Sequence, residues 1–81
     1  MNKIEQSPTD EKMLVDFGLR LKQLRLAKEL SQEQLGMLAQ LDRTYISGIE
    51  RGVRNVGVIN IFRITQALKI SPTELFNLGT D

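Results

Sequence analysis

The sequence contains neither cysteine nor histidine. Without cysteine, no disulfide and no thiolate metal site can brace the chain. A zinc site left with carboxylates alone would be unusual, so neither a metal nor any other cofactor is expected. No apolar run approaches the roughly 20 residues that a membrane span needs. The first ten residues are polar and lack the apolar stretch of a signal peptide. A cytoplasmic location with no membrane partner is therefore expected. A Gly-rich phosphate loop is missing, and with it a histidine or cysteine for catalysis, which argues against an enzyme and against a small-molecule substrate. With only two prolines and six glycines, long helices are permitted. At 81 residues and 41% hydrophobic content, the chain makes one domain near the lower limit of independent folding. It must rely on helix packing or a partner subunit for stability.

The formal net charge is only +1, but the charges are unevenly spread. Residues 1–19 carry Lys3 and Lys12 against Glu5, Asp10, Glu11 and Asp16. Residues 20–63 carry Arg20, Lys22, Arg25, Lys28, Arg43, Arg51, Arg54 and Arg63 against Glu29, Glu33, Asp42 and Glu50. A basic middle suits nucleic acid, though charge alone fits an ordinary solvated surface better.

Periodicity and capping signals divide the chain into five helices. Residues 1–8 form a tail, with Ser7-Pro8-Thr9-Asp10 as a helix start. Leu14, Phe17, Leu21 and Leu24 then recur on one face until the helix fades near residues 28–30. Ser31 with Gln34 forms a capping box for a short second helix, whose buried side should carry Leu35, Leu38 and Ala39. After a turn at Gln40-Leu41, Asp42 caps a third helix that buries Ile46 and Ile49 and ends before Gly52. A fourth helix begins near Val58 behind a weak cap, Gly57, and holds Ile61, Ile64 and Leu68 inward. Ser71-Pro72-Thr73-Glu74 is the strongest cap signal in the chain and starts a fifth helix that Gly79 should stop. The expected fold is all-α, a compact five-helix bundle over residues 9–79.

The second and third helices are joined by only a few residues, so they must cross steeply, as in a helix-turn-helix. Gly36 within the second helix either permits close approach of the third or is simply tolerated. On the third helix, Arg43, Thr44, Ser47 and Gly48 fall outside the Ile46–Ile49 seam, with Tyr45 flanking. Arginine can pair with guanine O6 and N7, and threonine can meet a base edge or a thymine methyl. Base contacts come from the N-terminal part of such a helix, where Arg43 and Thr44 stand. The spacing alone also allows a plain solvated face.

Residues 18–76 resemble the helix-turn-helix family of lambda-type and 434-type phage repressors and Xre-type regulators. The resemblance rests on Leu24-Arg25, Leu30-Ser31-Gln32-Glu33-Gln34-Leu35, Tyr45-Ile46-Ser47-Gly48-Ile49-Glu50-Arg51-Gly52 and Ala67-Leu68-Lys69-Ile70-Ser71-Pro72. The run from Leu41 to Arg51, followed by Arg54-Asn55, is similar to the controller proteins of restriction-modification systems. Those are small dimeric regulators that activate and repress their own gene and that of the linked endonuclease. The resemblance implies base reading by Arg43, Thr44, Ser47 and Tyr45, and backbone contacts from Gln32, Arg51, Arg54 and Asn55. Arg54 grips phosphate or enters a narrow minor groove. The resemblance also implies a structural pair, Arg25 with Glu50.

Apolar residues late in the chain exceed what one small core is expected to hide. Val58, Ile59, Phe62, Leu75, Phe76 and Leu78 are therefore candidates for a self-complementary dimer contact, the site the resemblance also implies. The expected partners are double-stranded DNA with a near-palindromic operator, a second copy of the chain and RNA polymerase. A phage or chromosomal repressor, or an antitoxin-like protein-interaction module, is the alternative.

Overall fold

Ser7 closes a reciprocal capping box: its hydroxyl accepts the Asp10 N–H at 3.2 Å, and the Asp10 carboxylate accepts the Ser7 N–H at 3.1 Å. Two otherwise orphaned donors are satisfied, Pro8 occupies the first helical position without losing a hydrogen bond, and α1 runs over Pro8–Ala27. The computed structural model describes residues 7–78, so residues 1–6 of the expected tail and the stop at Gly79 lie outside the described residues. Four more helices follow: α2 (Gln32–Ala39), α3 (Arg43–Glu50), α4 (Val58–Leu68) and α5 (Pro72–Leu75). No strand is present among the described residues, in keeping with the all-α expectation. The capping box recurs at Ser31 and Gln34, while Gly57 gives α4 no side-chain cap.

The core is Phe17 and Leu21 from α1, Leu35 and Ala39 from α2, Ile46 and Ile49 from α3, Ile64 and Leu68 from α4, and Leu75 from α5. Helix α1 packs on α3 and α5, α2 packs on α3 and α4, and α4 packs on α5. Two expectations need correcting. Leu38 is 59% exposed: α2 buries Leu35, Gly36 and Ala39, so the four-residue step from Leu35 sets its inner face and the three-residue step points outward. The fifth helix is a single turn that ends at Leu75, although its cap signal reads as the strongest. The Ser71 hydroxyl pairs with Thr73 Oγ1 at 2.7 Å instead of capping the helix. The Glu74 carbonyl, which a longer helix would keep for itself, accepts the Arg20 Nε–H at 2.9 Å.

Close backbone approach holds α1, α2 and α3 together. A Cβ at Gly36 would lie 2.6 Å from the Leu41 carbonyl oxygen, and one at Gly18 would run into the Ile49 carbonyl and stand 2.8 Å from that of Glu50. Both contacts are with backbone, which cannot move aside as a side chain can. Gly36 therefore serves the approach of the turn that leads into α3.

Three links are entered through left-handed residues that are not glycine: Glu29 (φ 58°), Gln40 (φ 59°) and Lys69 (φ 57°). Each conformation costs an L-residue about 1–2 kcal/mol. Lys69→Gly is expected to raise stability by about 0.5–1 kcal/mol, after allowance for the freer unfolded chain. Urea denaturation with Lys69→Ala as control checks this, because alanine keeps the backbone strain; equal gains in both variants would contradict it.

Candidate nucleic-acid interface

The placement of α3 starts with two charges removed from water. Arg25 on α1 is 6% exposed and Glu50 at the end of α3 is 7% exposed. They meet in a two-bond fork, Arg25 Nε to Glu50 Oε2 at 2.7 Å and Nη2 to Oε1 at 2.9 Å. Arg25 Nη1 also donates to the Leu30 carbonyl at 2.7 Å, ahead of α2. Gln32, the first residue of α2, donates its Nε2–H to Glu50 Oε1 at 3.1 Å. The Glu50 bonds hold the Arg25 pKa above its ordinary value against the opposing effect of burial. One ion pair thus ties α1, the α1–α2 turn, α2 and α3 together. It also sets Gln32 beside Glu50, with one amide hydrogen already engaged.

Helix α3 is then divided by side. Ile46, Gly48, Ile49 and Glu50 face inward. Arg43 and Thr44 are exposed at its start, Ser47 is half-buried one turn on, and Arg51 is exposed at its end. Arg43, Ser47 and Arg51 follow at four-residue steps, along one line of the helix surface. Within the helix the one acid is Glu50, which is buried and neutralised. The neighbouring acid, Asp42, is spent on the cap: its Oδ1 accepts the Thr44 N–H at 2.8 Å and the Thr44 hydroxyl at 2.5 Å. The outward side of α3 is therefore positive and rich in donors.

Tyr45 turns toward α4. It is half-buried, and its hydroxyl oxygen accepts the Asn60 Nδ2–H at 3.2 Å. The Arg54 guanidinium lies over the ring, its central carbon 5.7 Å from the centroid. The Arg54 side chain also covers Gly48, where a Cβ would meet its Cγ at 2.6 Å. Gly48 is accordingly buried, not open as the spacing suggests. Asn55 is exposed in the loop beyond Arg54. Sequence reasoning missed Asn60, Arg20 and the role of Gly18, because each acts on an element remote in the chain.

The apolar candidates fall into two groups. Val58, Ile59, Phe62 and Phe76 are exposed. Leu75 is fully buried and belongs to the monomer core, because the single turn of α5 points it into the bundle. Leu78 is half-buried in a groove shared with Phe17, Phe76 and Val56, where the Phe17 and Phe76 rings lie 5.3 Å apart.

Breaking the ion pair from one side is expected to cost about 3–5 kcal/mol, because the remaining charge stays buried without its partner. Arg25→Met should show this loss in urea denaturation, and the double variant Arg25→Met/Glu50→Met should recover most of it. A double variant as unstable as the single one would show that the pair itself contributes the stability. At the other end of α3, the bonds from the Thr44 hydroxyl and then its N–H hold the Asp42 carboxyl below its ordinary value. The cap's contribution is therefore complete above the pKa of the unfolded carboxylate and fades as pH falls through the lower native value. Thermal midpoints taken downward from about pH 5 should fall faster for the wild type than for Asp42→Asn, which keeps a neutral acceptor. Parallel curves would exclude the cap from the acid response.

A helix-turn-helix family model matches residues 21–75. The chain is 48% identical over 65 residues to control protein C.BamHI of Bacillus amyloliquefaciens, across 79% of this chain and 80% of that protein. The restriction-modification controller protein C.AhdI from Aeromonas hydrophila matches with a TM-score of 0.77 and 57% identity, over 78% of this chain and 96% of the other. The controller protein C.Esp1396I, solved as a tetramer in complex with its natural 35-base-pair operator, matches with a TM-score of 0.73 and 39% identity, over 79% and 84% of the two chains. The chain belongs to the helix-turn-helix family, among the restriction-modification controller proteins, which are DNA-binding regulators of transcription.

Proposed function

We propose that the chain works as a homodimer that binds a near-palindromic operator and governs its own gene and a linked endonuclease gene, activating at low level and repressing at high level. The observation that carries this reading is the division of α3. Its inner side is locked by Ile46, Ile49 and the buried Glu50, and its outer side offers Arg43, Thr44, Ser47 and Arg51 to a major groove.

In this reading Arg43 and Thr44, near the start of α3, read base edges. Ser47 and Tyr45 reach outer bases or the adjacent backbone. Gln32, Arg51, Arg54 and Asn55 hold phosphates and so set register without reading sequence. Gln32 can use the hydrogen and the carbonyl oxygen of its amide that Glu50 leaves over. Thr44 already donates its hydroxyl proton to Asp42, so toward a base it offers an acceptor lone pair and its methyl group. Val58, Ile59, Phe62 and Phe76, with Leu78 at the edge, form the dimer contact. Two copies joined there would present their α3 helices about one DNA turn, roughly 34–36 Å, apart. Activation requires a surface for RNA polymerase, for which the exposed side of α2 with Glu33 is the candidate.

Selection of bound duplexes from a random library, with wild type and Arg43→Ala side by side, tests the reading. Wild type should enrich a near-palindrome. Arg43→Ala should lose about 1–3 kcal/mol on it, with preference relaxed at one position per half-site. A uniform loss over all sequences would move Arg43 to the phosphates. Failure of the wild type to enrich any sequence, in salt high enough to suppress nonspecific binding, would overturn sequence reading altogether.

A further inference from the structure

Asn60 is unexplained by the fold. It stands between Ile59 and Ile61 in α4, and asparagine favours caps and turns over helix interiors. It is half-buried and spends its side-chain amide on one partner, the Tyr45 hydroxyl of α3. Helices α3 and α4 each pack on α2, and this bond is a direct side-chain tie between them. The ring of the same tyrosine carries the Arg54 guanidinium, whose stem is pressed over Gly48.

We propose that Asn60 is a positioning residue for DNA recognition: by holding the Tyr45 hydroxyl it fixes the ring on which Arg54 rests, and so aims both side chains at the operator. The proposal rests on the DNA-contacting roles given above to Tyr45 and Arg54.

The chemistry runs in one direction. The Asn60 N–H occupies a lone pair of the phenol oxygen, and the phenol proton has no acceptor among the described residues. That proton is left to donate outward, and accepting a hydrogen bond makes the hydroxyl a better donor. Its natural acceptor is a phosphate oxygen. Arg54 gains a surface that restricts its rotamers before DNA arrives, so less freedom is lost on binding. A glycine at position 48 is what allows the arginine stem to lie flat there. Asn60 also sits on the turn of α4 that carries the exposed Ile59 and Phe62, so the aim of the DNA contacts is anchored in the helix proposed to join the two copies.

The test uses the full chain and exploits its composition: there is no tryptophan and Tyr45 is the single tyrosine, so the near-ultraviolet circular dichroism of tyrosine reports this site alone. Asn60→Ala should change that band while helix content and dimer mass by sedimentation stay as in wild type. On the duplex selected by the wild type, Asn60→Ala and Tyr45→Phe should each weaken binding about 3- to 10-fold, the size expected for one lost hydrogen bond and a loosened cation–ring contact. Binding to a scrambled duplex should fall by a similar factor, because both contacts are to phosphate. The double variant Asn60→Ala/Tyr45→Phe should bind like the weaker of the single variants. An unchanged tyrosine band, full additivity of the two losses, or a loss that follows weakened dimerisation would overturn the proposal while leaving operator binding intact. Failure of the wild type to select any duplex would overturn the DNA reading itself, and with it the aiming role.

Discussion

The fork between Arg25 and Glu50 is the constraint on which the rest of the structure depends. It joins the scaffold helix α1 to the far end of α3, and its spare donor reaches the Leu30 carbonyl ahead of α2. Two charges withdrawn from water contribute little net stability compared with an apolar pair of equal volume. They do demand one geometry, because a guanidinium satisfies a carboxylate in two-bond fashion only when the planes align. An apolar contact at that point would tolerate rotation of α3 about its axis, and the fork does not. Burial of Glu50 has a second effect: the one acid within the helix is kept off the outward side and its charge is cancelled where it lies, which leaves Arg43 and Arg51 facing solvent unopposed.

Close packing and short links follow from small size. Gly18 and Gly36 bring backbones within reach of carbonyl oxygens on α3 and on the turn before it, so the helix-turn-helix is seated by main chain as well as by side chains. The links that end α1, α2 and α4 each pass through a left-handed residue, and this reverses the chain within a few residues. Glu29, Gln40 and Lys69 hold that conformation without glycine's freedom, so the packing on either side of each link must overcome the strain.

Much of this architecture is legible in the sequence because its signals are local. The Ser7 and Ser31 capping boxes, the Asp42 cap and the left-handed Gly52 (φ 77°) lie where residue chemistry places them. The inward pair Ile46 and Ile49 follows from helical period alone. What escapes is decided by other elements. Leu38 and Ala39 are equivalent choices on an isolated two-turn helix, and only the position of α3 and α4 makes Ala39 the inner one. The Ser71 cap predicts a helix start but not its length: α5 ends at Leu75, and the Glu74 carbonyl there accepts the Asn77 N–H and the Arg20 guanidinium from 54 positions away in the chain. Leu75 reads as surplus surface until that single turn buries it. Within the candidate site, the exposure of Arg43 and Thr44 is local information, whereas the stack of Arg54 on Tyr45 and its tie to Asn60 is tertiary.

The division of α3 also bears on how such a protein changes over generations. Arg43 and Thr44 reach no residue of the core, and Ser47 is only partly covered, so replacements there alter the outer surface while Ile46, Ile49 and Glu50 keep the helix seated. On the proposed reading of the operator by these residues, folding and recognition can then vary almost independently, the first under strict constraint and the second open to drift. A scaffold of this kind tolerates the substitutions by which one lineage acquires a new target sequence and becomes blind to that of its neighbour.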